Sequence, residues 1–299
     1  MPRIFALALV GALLLLNRLA VVPQVSAQDT AVLLRTAIDQ RPLTHPARNH
    51  IYSCSGTSMA AARAGLPWIQ RDGVVDNGRK PHVRGSVPWS GHRLNAIAAG
   101  SDRTITTNGL PNHATGKFPI TAQESPDAFA FDRNPHEIRQ SLRIFNLPVT
   151  PEIAARPSCL PVGPIGIALT GALFFSALDA DLRDAVATEI FDACEGHPQQ
   201  QGLYHYHHDS PCFDQGQPTR HSPLVGFASD GFAIFGPRDA DGRPITNDAL
   251  DECHGHVGPV TYPDGSTATV YHYHINKEFP YTVGCFRGSP SMRPNGRTG

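Results

Sequence analysis

Read from the N-terminus, apolar positions cluster into runs separated by polar stretches, and each run predicts a different kind of element. Ile4–Leu16 is an uncharged apolar run behind Arg3, interrupted by Asn17-Arg18 and followed by the small residues Val25-Ser26-Ala27. That is the grammar of a signal peptide over 1–27, since a bilayer span takes about 20 apolar residues; an uncleaved anchor is the alternative. Residues 28–84 show little periodicity beyond a short helix predicted over Asp29–Gln40, and read as a loosely structured lead-in. From Gly85 the texture turns strand-like: Asp102–Thr107 precedes Asn108-Gly109, a tight-turn signal. Residues 160–176 form an apolar, Gly-punctuated stretch suited to buried strands. Leu178, Leu182, Val186 and Ile190 recur every fourth residue and predict a helix over 177–194, with Asp179 at its start and Glu195-Gly196 as its stop. Leu224–Phe235, broken by Asp230-Gly231, reads as a hairpin or bulged strand. The expected fold is α+β and β-rich: a mainly antiparallel sheet with few helices and long Gly/Pro loops over 85–290, then a flexible tail over 291–299.

Composition sharpens this picture. Gly and Pro contribute 27 residues each, which breaks a chain into short elements and argues against a helical bundle. A net charge of −1 with scattered Lys and Arg leaves no footprint for nucleic acid and no polybasic patch for a membrane surface, so no membrane insertion is expected once the signal is cleaved. Six cysteines behind a signal sequence read as disulfides in an oxidising compartment, periplasmic or secreted.

Self-similarity carries the chemistry. Asp192-x-Cys194-x-Gly196-His197 is echoed by Asp251-x-Cys253-x-Gly255-His256, and each copy leads to a Tyr-His-Tyr-His segment, 204–207 or 271–274. This internal duplication occupies the C-terminal third. Each copy holds one cysteine before its Tyr-His-Tyr-His and one after, which pairs Cys194 with Cys212 and Cys253 with Cys285, leaving Cys54 for Cys159. Side chains alternate along a strand, so His205 and His207 share one face and Tyr204 and Tyr206 the other, as do His272 with His274 and Tyr271 with Tyr273. Two imidazoles at i and i+2, joined by His197 or His256 from the Gly-His corner, make a three-histidine set for a transition metal, copper or zinc. The competing reading is a hydrogen-bonded or surface pair with no metal. The two copies are expected to pack about a pseudo-twofold axis so that their histidines converge, around one ion or as two three-histidine sites or a close pair. Asp192 and Asp251 are either acceptors that orient a ligand histidine or capping groups, and the tyrosines are expected to pack inward with their hydroxyls partnered. His208, His221 and His254 fall outside the repeated positions.

At these residues the chain resembles the YHYH-domain proteins, an exported family. The resemblance rests on Gly202–His207, Ser222–Pro237, Leu250–His256 and Tyr271–His274 running on to Phe279–Gly288, with weaker echoes at Asn108–His113 and Gly166–Leu173. It implies export and a metal-linked role and supplies no substrate. Ser55–Ala61 imitates the nucleophile segment of subtilisin-like proteases, but the chain before it is too short for the aspartate and histidine such an enzyme needs. Three function classes follow. The first is a metal-binding protein for storage, scavenging or delivery. The second is a metalloenzyme, hydrolase or oxidoreductase, with a small-molecule substrate and Asp230 or Glu252 as acid or base. The third is a structural or adhesive module without metal.

Overall fold

Short β-rich segments between Gly and Pro turns assemble, in a computed structural model, into three sheets; the structure describes residues 33–35, 41–58, 65–70 and 74–291. In chain order the strands are β1 Leu33–Arg35, β2 Val74–Asp76, β3 Leu94–Ala99, β4 Asp102–Thr107, β5 Arg143–Pro148, β6 Pro164–Ala168 and β7 Leu173–Phe175. They continue as β8 Gly196–Pro198, β9 Tyr204–Tyr206, β10 Leu224–Ala228, β11 Ala233–Phe235, β12 Gly255–Thr261 and β13 Thr267–His274. Among the described residues helix is confined to two single turns, α1 Pro126–Phe129 and α2 Ala185–Thr188, and a 3₁₀ turn at Asn247–Ala249. The signal segment and residues 292–299 of the expected tail lie outside the described residues. Within the helix expected over Asp29–Gln40, Leu33–Arg35 is instead a strand, antiparallel to β2.

The principal sheet runs β12-β13-β11-β10-β6-β7-β9-β8. Its centre is the antiparallel pair β6 and β10, and the order of pairings is the same going outward on either side. A hairpin partner comes first, β7 or β11. A parallel Tyr-His-Tyr strand follows, β9 or β13, and then an antiparallel edge, β8 or β12. The Leu224–Phe235 segment is the expected hairpin, with its irregularity between Leu224 and Gly226.

Each face of this sheet buries its own core. On the tyrosine side Tyr204, Tyr206, Tyr271 and Tyr273 pack with Phe174, Phe232 and Ile165, together with Ile51, Trp68, Val75 and Val83 from the N-terminal region. Trp68 donates its indole N–H to the carbonyl of Ala187 (2.9 Å), and a Cys54–Cys159 disulfide ties that region down. On the other side Ile167, Leu173, Phe175, Phe227 and Phe235 meet Ile105, Phe145 and Leu147 of the antiparallel β3-β4-β5 sheet, which covers the middle of the face.

Two local expectations are corrected. Residues 177–194 are not one helix. Asp179 Oδ1 accepts from the backbone N–H groups of Asp181 and Arg183, Leu178 bridges to Asp184, and Leu182 takes a left-handed φ of 62°. Only then does Asp184 cap the single turn α2, accepting from Val186 (3.0 Å) and Ala187 (3.3 Å). Leu178, Leu182, Val186 and Ile190 are all buried, but by a folded loop. A strict period of four gains about 40° per step on a 3.6-residue turn, which would spread these residues over about 120° of a helix, and the folded loop buries them equally well. Asn108-Gly109 does turn, with Gly109 at φ 75°, yet it opens the long crossing to β5; the β3–β4 hairpin closes at Gly100-Ser101 instead.

Candidate metal centres

The repeated motif folds each copy into one corner. Asp192 Oδ1 accepts from the N–H groups of Cys194 (2.8 Å) and Gly196 (3.4 Å), and Asp251 Oδ1 does the same for Cys253 (2.9 Å) and Gly255 (3.1 Å). The same carboxylates take the hydroxyls of Tyr204 (2.8 Å) and Tyr271 (3.0 Å). Glycine is required at the corner because the tyrosine lies across it: a Cβ on Gly196 would sit 2.4 Å from Tyr204 Cζ, and one on Gly255 2.4 Å from Tyr271 Oη. Disulfides Cys194–Cys212 and Cys253–Cys285 fasten each corner, the pairs expected from the repeat. Asp192 and Asp251 therefore orient tyrosines across the strand, and neither positions a histidine.

The second tyrosine of each strand is also partnered. Tyr206 donates to His113 Nε2 (2.5 Å) and accepts from Thr170 (3.0 Å), while Tyr273 donates to Asp230 Oδ2 (2.6 Å). With both tyrosines fixed on one face, alternation drives the histidines onto the other.

In the first centre three ring nitrogens converge. His197, His205 and His207 present Nε2 atoms 3.1 Å (197 to 205), 3.4 Å (197 to 207) and 3.1 Å (205 to 207) apart. His205 Nδ1 faces the Leu203 carbonyl at 3.1 Å and His207 Nδ1 faces the Ser176 carbonyl at 2.5 Å. A carbonyl only accepts, so both protons sit on Nδ1 and both Nε2 lone pairs point at the common centre. Burial, then the neighbouring imidazoles, hold His197 and His207 well below the ordinary range, and burial lowers His205 to about 4. Around neutrality all three rings are uncharged, and two bare lone pairs face each other at 3.1 Å, a contact that a cation would relieve.

A fourth donor completes the set. Glu189 Oε2 lies 3.4 Å from His197 Nε2 and 3.5 Å from His207 Nε2. Ligands at 2.0–2.1 Å around a tetrahedral ion are about 3.3 Å from one another, which these separations match. Burial, followed by Asp179 and Asp132, raises the Glu189 carboxyl to about 8, so without an ion it is largely neutral at pH 7. Phe175 stacks on His205 with centroids 3.8 Å apart, and Phe191 meets His197 edge-on at 4.8 Å, so aromatic rings flank the imidazoles.

The second centre is larger and more open. His272 Nε2 lies 3.3 Å from His221 Nε2, 3.1 Å from His256 Nε2 and 3.0 Å from His274 Nε2. The Nδ1 atoms of His221, His272 and His274 face the carbonyls of Ser222 (2.7 Å), Val270 (3.0 Å) and Gly236 (2.7 Å), again committing the proton away from the centre. Burial lowers His272 to about 4 and takes His274 well down. Asp239 offers an oxygen grouped with His256 and His274, while His221 and His256 are only half-buried.

All six histidines expected as ligands thus occur in clusters, but the shared site does not form. Between β9 and β13 lie β7, β6, β10 and β11, five inter-strand steps or about 24 Å along the sheet. The sheet joins at the β6–β10 pair, which leaves the two histidine strands on its outer sides. Three donors were missed. Glu189 sits in a segment read as helix, and its counterpart in the other copy, Asp248, lies in the 3₁₀ turn and joins no histidine cluster, so the two copies do not use this position alike. His221 and Asp239 lie between the two copies, and only the β10–β11 hairpin brings them in. His208 bonds Glu195 (3.2 Å) and His254 bonds the carbonyls of His274 and Thr282, both structural. Asp230 is buried on the tyrosine face, away from the imidazoles.

No curated protein and no solved structure matches this chain. Residues 144–247 match the family model described as YHYH protein, which spans β5 to the 3₁₀ turn and contains the first centre entire, together with His221 and Asp239 of the second. Over residues 144–247 the chain is similar to the YHYH proteins.

Proposed function

We propose that this is an exported transition-metal-binding protein that holds copper or zinc at two separate histidine centres, for storage, scavenging or delivery. One observation carries the reading: in the first centre His205 and His207 commit their Nδ1 protons to carbonyls and aim bare Nε2 atoms at a point flanked by His197 and Glu189, at tetrahedral spacing. Export is supported by the three disulfides and by the signal-like start of the sequence. Among the described residues no helix is long and apolar enough to cross a membrane. The test is metal content of the exported protein by mass spectrometry. Two equivalents per chain are expected, falling to one in His205→Ala/His207→Ala and to one in His272→Ala/His274→Ala. A chain that neither carries nor takes up a transition metal would sink the reading. A second reading, a metal-dependent hydrolase or oxidoreductase, is favoured by one observation, a cleft beside His221.

A further inference from the structure

The two centres differ in what surrounds them. In the first, the imidazoles are 2–4% exposed and aromatic rings close over them. In the second, His221 and His256 are half-exposed, and the His221 side chain forms part of the wall of a cleft of about 840 Å³. That volume is in the range of small-molecule sites, and mainly apolar side chains line it, Leu169, Leu224, Val260 and Tyr262 among them. Thr261 and Gln217 stand exposed at its rim.

The cleft lining holds one carboxylate, Asp214, and one guanidinium, Arg220. Asp214 spends Oδ1 on the N–H of Gly216 (2.9 Å), whereas the exposed Arg220 side chain has no ion pair among the described residues. A free guanidinium favours a planar anion, and carboxylate oxygen is also a donor that copper and zinc accept. An apolar wall, a free arginine and a metal-facing imidazole therefore sit around one space. His272 Nε2 lies within 3.0–3.3 Å of three other ring nitrogens, one of them that of the cleft-lining His221, so an ion held by His221 and His272 would lie beside the cleft.

We infer that the second centre is the ligand-accepting one and that its cleft takes a small organic carboxylate with an apolar body, whose oxygen completes the coordination of the ion. The inference rests on the metal reading above and goes past it, since it assigns the two centres different duties: the first retains its ion, and the second meets a small molecule.

The test uses the full chain carrying His205→Ala/His207→Ala, so that only the second centre remains, loaded with Co²⁺ and followed by its visible absorption. Titration with 4-phenylbutyrate should change the cobalt bands saturably, at least about tenfold more tightly than acetate, because the ring is buried against the cleft wall. Arg220→Gln should weaken both carboxylates. Thr261→Trp or Gln217→Trp, at exposed rim positions, should erase the preference for phenylbutyrate while leaving the cobalt spectrum in place. If the first-centre variant does not fold, the same titrations on the unmutated chain carrying two Co²⁺ give the answer through the two tryptophan variants. Cobalt bands indifferent to phenylbutyrate, or a preference that survives the tryptophans, would overturn this inference alone. A second centre that takes no Co²⁺ would overturn the metal reading there and this inference with it.

Discussion

A histidine becomes a ligand when something else holds its other nitrogen, and five of the seven clustered histidines have Nδ1 facing a backbone carbonyl. Two predictions belong at this scale. Glu189→Gln keeps the shape of the side chain but removes the anionic form, so affinity at the first centre should fall by about one to two orders of magnitude, read by competition with a chelator, while the second centre is unchanged. An unchanged affinity would remove Glu189 from the ligand set. The second concerns acid. His205 and His272 are lowered to about 4 in the folded metal-free protein against about 6.5 in an unfolded chain. Between those values the unfolded chain binds more protons, so stability rises with pH there. Buried Glu189, raised to about 8, acts in the opposite direction, so the histidine contribution is read in Glu189→Gln: thermal melts of that metal-free variant should decline as pH falls from about 6.5 towards about 4. Replacing His205 and His207 should flatten part of that decline.

At the scale of elements, the Tyr-His-Tyr strand is specified twice, by histidines on one face and by tyrosine–aspartate pairs on the other. Tyr204→Phe leaves Asp192 buried without its hydroxyl donor and should cost about 1–3 kcal/mol in denaturant melts, with metal stoichiometry retained. Removing the Cys194–Cys212 bridge as a double alanine variant should cost about 3 kcal/mol in the chain-entropy view. Much of this was legible beforehand. Strand alternation placed His205 and Tyr204 on opposite faces, and the repeated Cys-x-Gly-His gave two disulfides and left Cys54 for Cys159. The misreadings share a cause. Leu178, Leu182, Val186 and Ile190 are apolar because the loop is buried, and burial alone does not distinguish a helix from a coil pinned by Asp179. Glu189 was hidden by that same reading, and His221 needed the β10–β11 hairpin, a long-range pairing that local pattern does not encode.

At the scale of the molecule, the strand order decides how the two centres communicate. The duplicated motif suggested strands meeting across an axis, but the sheet joins its halves through β6 and β10, and the histidine strands end up about 24 Å apart along it. That separation is about three Debye lengths at physiological ionic strength, so charge placed at one centre is largely screened from the other. No ring or hydrogen-bond contact connects the two clusters among the described residues. The centres should therefore bind independently. With free metal at about 100 times the dissociation constant of each site, each ion would add about 2.7 kcal/mol of stability, and the two increments should sum. Titration of the unmutated chain should then match the sum of the titrations of His205→Ala/His207→Ala and His272→Ala/His274→Ala, each variant keeping the affinity of its surviving centre. A shift of more than about threefold in the surviving centre would mean that the β6–β10 seam transmits strain between the halves, and that the sheet couples its two ions.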